Sequence, residues 1–142
     1  LRNKGEDDLP QLTSITVNDG LDTPVSHTFE RGNFPVQGAV TVGTLYESDG
    51  TIIGDNKLSL KTVDRSKARL RPVLSLSVPV TVTETINGVS VESVVDTNHI
   101  RIEGNFGSSS TTDNRKVIRG LAANLLDDAT VKALFEDLEG LW

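Results

Sequence analysis

The hydrophobic period of this chain changes once, near residue 107, and that change restricts the possible folds more than any other feature. Up to Phe106, apolar and polar residues alternate with period two between turn signals about ten residues apart, as in strands half-buried on one face. Beyond Thr112 the apolar positions Val117, Ile118, Leu121, Ala122, Leu125 and Leu126 recur at three- and four-residue intervals, and Val131, Leu134, Phe135 and Leu138 continue that spacing. This is the stripe of an amphipathic helix. Asp127 and Asp128 fall between the two stretches as a cap for the second. Gly107 and the run Ser108 to Thr112 form the connector, and a box from Ser110 to Asp113 is expected to start the first helix. The fold class is therefore α+β, with sheet first and helices last, in one domain of 142 residues.

The strands are expected at Leu12 to Val17, Val25 to Arg31, Gln37 to Tyr46, Lys57 to Val63, Arg69 to Thr85, Val89 to Val95 and His99 to Phe106. Asn18-Asp19-Gly20 closes the first pair as a hairpin, with Gly20 free to take a positive φ, and Ser48-Asp49-Gly50 marks another turn. Asn87-Gly88 is the strongest hairpin signal in the chain. Pro72 and Pro79 each remove a ladder donor, so irregularities are expected beside them. Parity sorts the faces. Leu58, Leu60, Leu70, Leu74, Leu76, Val78, Val80, Val82, Ile100 and Ile102 share the dry side; Lys57, Ser59, Lys61, Arg69, Arg71, Ser75, Ser77, His99, Arg101 and Glu103 share the wet side.

Charge sharpens this picture. The chain carries a net charge of −6, yet Lys57 to Arg71 holds six bases and one acid, leaving −11 for the remainder. A basic patch of that kind suits phosphates, and its hydroxyls and the flat ring of His99 suit unpaired bases. By pattern alone, the same face also matches a solvated outer surface whose lysines discourage edge pairing.

Catalytic chemistry has little to draw on. There is no cysteine, so disulfides and thiolate metal sites are excluded. The histidines are His27 and His99, with no Gly-x-Ser-x-Gly elbow and no phosphate-cradling Gly-x-x-x-x-Gly-Lys loop. Asp96 and His99 lack a diagnostic triad spacing, and Asp49 to Asn56 lacks the alternating oxygen ligands of a calcium loop. No enzyme, metal or cofactor is expected. No apolar run approaches the roughly 20 residues of a membrane span, and Leu1 to Leu9 lacks a secretory signal's apolar run, so an intracellular setting is expected.

The order of elements resembles the coat proteins of the small single-stranded RNA bacteriophages, the levivirus type. The likeness is most specific from Arg69 to Leu126: Ser77-Val78-Pro79 late in a long strand, the hairpin Thr85-Ile86-Asn87-Gly88-Val89, the strand His99 to Glu103, and a helix opening Asn-Arg-Lys and closing Gly-Leu-Ala-Ala-Asn-Leu-Leu. The resemblance implies a non-catalytic subunit with an arm (residues 1–11), a hairpin (12–31), a five-stranded antiparallel meander (37–106) and two helices (112–140).

It further implies an intertwined homodimer with a ten-stranded sheet, held by Val117, Ile118, Leu121, Leu125, Val131, Leu134 and Phe135 of the helices. Such dimers would build an icosahedral virion shell, assembled in the bacterial host's cytoplasm. Genomic RNA, including an operator hairpin whose capture represses replicase translation, would meet the inner face. Carried over by position, its contacts are Lys57, Ser59, Lys61, Arg71, Val73, Ser75, His99 and Arg101, with His99 where relatives place a stacking tyrosine. The turn Glu92, Ser93, Val94, Val95, Asp96, Thr97 and Asn98 would gather around the shell's symmetry axes. Lacking cysteine, that turn cannot form the intersubunit disulfides of some relatives. Two other readings compete: a secreted or surface β-rich binding module, fimbrial or carbohydrate-binding, and a cytoplasmic RNA-binding regulator that stops at dimers.

Overall fold

A computed structural model describes residues 13–31, 42–48, 53–61, 68–138 and 140. The expected arm at 1–11, the start of the third strand at 37–41, the turn residues Asp49 and Gly50, and the basic turn residues Asp64, Arg65, Ser66 and Lys67 lie outside them.

Strands β1 (Ile15–Asn18), β2 (Ser26–Arg31), β3 (Val42–Glu47), β4 (Asn56–Lys61), β6 (Val73–Ile86) and β7 (Val89–Glu103) form one antiparallel sheet in the order β1-β2-β3-β4-β6-β7. Hairpin and meander are thus continuous. Short strands β5 (Arg69–Leu70) and β8 (Phe106–Gly107) pair with each other instead. The contacts divide the chain into two compact units: one holds the six-stranded sheet, the other β5, β8 and the helices.

Alternation decides the faces as the sequence suggests. Leu58 stands opposite Leu45 and Leu76, and Leu60 opposite Leu74, so apolar side chains align across the sheet. Phe29, Leu45 and Leu58 are the buried hydrophobic side chains among the described residues, with Ile15, Leu60, Leu74 and Leu76 packed against them.

Both prolines mark irregularities. The strand expected from Arg69 to Thr85 breaks at Arg71 and Pro72, where proline has no amide to give the ladder, and the Pro72 carbonyl accepts the Gly104 amide at 2.9 Å. Arg71 therefore stands between strands rather than in one. One residue beyond Pro79 the register slips between Val80 and Thr81: Val80 opposes Asp96, Thr81 opposes Val94, and Val95 is left as a bulge.

Two turns differ in their chemistry. Asn87 (φ 52°) and Gly88 (φ 80°) both take positive φ in the two-residue loop joining β6 and β7, the geometry that favours Asn-Gly. The first hairpin does not use Gly20 in that way. Its seven-residue connection is organised by the Asp19 carboxylate, which accepts the amides of Leu21 (3.2 Å) and Val25 (3.0 Å), while the Asp19 amide bonds the Val25 carbonyl.

Helix α1 (Thr112–Leu126) is capped by Thr111, one residue later than the expected Ser110, because Thr111 Oγ1 accepts the Asn114 amide at 3.2 Å. Ser110 instead gives its carbonyl to the Arg115 guanidinium. Thr111→Ala is expected to cost about 0.5–2 kcal/mol, read as a lower urea midpoint with unchanged slope. Helix α2 (Ala129–Lys132) is capped by Asp128 and continues as a π-helical turn, Ala133–Asp137, ended by Leu138 at φ 55°. No helix among the described residues is long and apolar enough to cross a membrane.

Candidate nucleic-acid interface

Cross-strand register assembles the wet face into rows. Tyr46 of β3, Lys57 of β4, Ser77 of β6 and His99 of β7 stand side by side, as do Thr44, Ser59, Ser75 and Arg101. Lys61, Val73 and Glu103 form a third row. Seven of the eight positions read from sequence, Lys57, Ser59, Lys61, Val73, Ser75, His99 and Arg101, therefore share one face of three adjacent strands. Arg71, exposed in the break before β6, is not positioned by the ladder.

The rows are internally bonded. The Lys57 ammonium lies 5.6 Å from the Tyr46 ring centroid, within cation–π range. Ser77 Oγ and His99 Nδ1 are 2.9 Å apart, which fixes the ring's edge and leaves the exposed imidazole face open. Arg101 pairs with Glu103 at 2.9 Å, so part of its charge is already answered. Surface pairs of this kind contribute little and exchange readily for a better anion. The face can hold phosphates at Lys57 and Lys61, bond sugars or base edges through hydroxyls, and stack bases on Tyr46 and His99.

Sequence reasoning missed Tyr46 and Thr44. Their signal was parity: both alternate with the buried Leu45, and β3 pairs directly with the lysine-bearing β4. Beside β2 and β3, an open groove of about 500 Å³ extends this face past Tyr46, lined by Ser26, Thr28, Glu30 and Ser48 among others.

The residues Glu92 to Asn98 are not a turn. They lie inside the fifteen-residue β7, because Asn87-Gly88 already supplies the reversal and the bulge at Val95 absorbs the local mismatch without breaking the strand. The two strands expected at Val89 to Val95 and His99 to Phe106 are consequently joined, with only Phe106 passing to β8.

The helix residues Val117, Ile118, Leu121, Leu125, Leu134 and Phe135 are exposed, and Val131 is half-buried. Neither helix contains a buried residue. Beyond the core, the dry face of β6 and β7 likewise leaves Val80, Val82, Ile86, Val89 and Val91 exposed. Exposed apolar side chains in such number, on each unit, mark association surfaces.

A one-sided antiparallel sheet with a basic, hydroxyl-bearing polar face, and amphipathic helices whose apolar side chains are exposed, define a structural subunit. The chain belongs to the levivirus coat protein family, whose model matches residues 10–142. It is 30% identical over 134 residues to a capsid protein of Pseudomonas phage PRR1, covering 93% of this chain and 99% of that one. The virus-like particle of bacteriophage ESE058 is similar in structure, with TM-score 0.79 and 25% identity over 94% of this chain and 100% of the other. The capsid protein of bacteriophage GA shares the fold at TM-score 0.72 and 18% identity, over 92% and 97%. The protein is thus a capsid component of a phage virion and not an enzyme, which sets aside a fimbrial or carbohydrate-binding module.

Proposed function

We propose that this coat protein dimerises along β7, assembles into a closed shell and holds genomic RNA against the face that carries Lys57, Ser59, Lys61, Ser75, His99 and Arg101. The observation that carries this reading is the cross-strand register, which sets two lysines, three serines and two rings in adjoining rows. A surface solvated for its own sake has no need of such order.

The dimer follows from what the single chain leaves uncovered. Strand β7 ends the sheet, and among the described residues its ladder partner is β6 alone, so a long row of amide and carbonyl groups is available to a second copy. Pairing β7 with its symmetry mate makes an isologous twelve-stranded sheet, two strands more than expected because each hairpin adds two strands to its sheet while two expected strands merge into β7. The helices of each copy then cover the apolar sheet face of the other. Contacts around the shell's symmetry axes pass from Glu92–Asn98 to the hairpin tip Ile86–Val89, which ends the ribbon formed where β6 and β7 outrun β4. An RNA hairpin with unpaired bases suits Tyr46 and His99 as stacking platforms, and its capture would couple assembly to translational repression.

The test replaces Lys57, Lys61 and Arg101 with alanine. Purified particles should hold less nucleic acid, read from the ratio of absorbance at 260 and 280 nm. The slope of log affinity against log salt should flatten by about 2 if three phosphate contacts to a single strand are lost. Unchanged nucleic-acid content and salt slope would overturn the assignment of this face.

A further inference from the structure

On the dry side of the sheet, one residue beyond the Tyr46–Lys57 row, His27 of β2 lies between two carboxylates. Its Nδ1 is 2.9 and 3.1 Å from the Glu47 oxygens, and its Nε2 is 3.1 Å from Asp19 Oδ2. Asn56 donates to the same Glu47 carboxylate at 2.8 Å. Both ring nitrogens thus face acceptors only, an arrangement that the imidazolium alone satisfies, since neutral histidine has a single N–H.

The position matters. Strand β2 meets β3 through two register pairs, Glu30 with Tyr46 and Arg31 with Leu45, and Phe29 anchors that end in the core. Beyond those pairs an open groove lies beside the two strands, and both His27 and the Thr28 amide of β2 reach the Glu47 carboxylate of β3. Asp19 organises the turn itself through the amides of Leu21 and Val25.

We propose that doubly protonated His27 is a latch that fastens the turn end of the β1–β2 hairpin to β3, and that losing one of its protons releases that end while Phe29 holds the other. This goes beyond the capsid and RNA reading and does not depend on it. The charges facing His27 are Asp19 from the turn and Glu47 from β3; β1 presents Val17 and β4 presents Asn56, both uncharged.

The titration has a definite sign. Hydrogen bonds donated to Glu47 and then to Asp19 raise the pKa of His27 above the ordinary 6.5, against a smaller desolvation effect. The latch is therefore closed at and below pH 6.5 and opens as pH rises through that elevated value. Partial burial opposes ionisation of Glu47, but hydrogen bonds from Asn56 and His27 hold it below its ordinary range. Asp19 is lowered by the Val25 amide first and His27 second. Acid strong enough to protonate these carboxylates opens the latch from the other side.

The experiment uses the full chain in its native assembly. Imidazole C2-hydrogen exchange, read by mass spectrometry on the peptide containing His27, gives its pKa in an assembly of any size. Amide exchange of the turn peptide around Asp19 to Ser26, corrected for intrinsic rate, gives the opening. We expect His27 to titrate above 6.5 and the turn to open about tenfold more at pH 9 than at pH 6 if the latched pKa lies one unit above the open one. In His27→Gln the turn should already be open at pH 6 and indifferent to pH. Titration of wild-type His27 at or below 6.5, or equal turn protection at both pH values, overturns the proposal whether or not the variant folds.

Discussion

Replacing Leu121 and Leu125 with aspartate is expected to leave the sheet folded and abolish both dimers and particles. The two side chains are 57% and 58% exposed and sit one turn apart on α1, beside Val117 at 62%. Full burial of a leucine is worth about 1.5–3 kcal/mol, so the exposed parts of the pair retain about 2–3 kcal/mol of unused burial in each chain. An isologous interface uses that twice, or about 4–6 kcal/mol, which corresponds to three or four powers of ten in Kd. Carboxylates at both positions add the cost of desolvating charge. Size-exclusion chromatography and electron microscopy read the result. Particles of normal size and yield from the double variant would show that the helices face solvent in the shell and that the dimer rests on β7 alone.

Leu45→Ala should have the largest effect on the stability of the fold itself. Leu45 is 0% exposed and sits between Leu58 and Phe29 in a core with few other buried side chains among the described residues. A cavity there costs about 2–5 kcal/mol. Against the 5–15 kcal/mol by which native proteins are usually stable, that is a large share. The prediction is read as a shifted urea midpoint for the dissociated chain. A cost below about 1 kcal/mol would mean that the neighbouring leucines collapse into the space, as loosely packed sites do.

These predictions draw on different parts of the chain's logic. The alternation Lys57-Leu58-Ser59-Leu60-Lys61 assigns every residue to a face as soon as a sheet exists, and the register bears out the assignment for β4, β6 and β7. Asn87-Gly88 likewise announces its own geometry, because both positions need positive φ and these residues supply it cheaply. Arg71 shows where parity stops being informative. It follows the alternation of β6 on paper, but Pro72 ends the ladder next to it, so the face it shares is not determined by pairing.

The same limit explains Glu92 to Asn98. Asp96, Thr97 and Asn98 look like turn residues, yet each finds a partner on β6, and one unpaired residue at Val95 suffices to keep fifteen residues in a single strand. Gly20 is the converse: a glycine in a turn that the neighbouring carboxylate, rather than backbone freedom, has shaped.

The sequence by itself determined the order of elements, the two faces of the sheet and the amphipathic helices, because those follow from side-chain periods of two and 3.6 that act within a few residues. Only the tertiary structure decided which strands adjoin, and with that the rows joining Tyr46 to Lys57 and Ser77 to His99, and the bridge from Asp19 through His27 to Glu47. Such contacts link residues eight to twenty-two positions apart, and their distances depend on strand register, which no local pattern of side chains encodes.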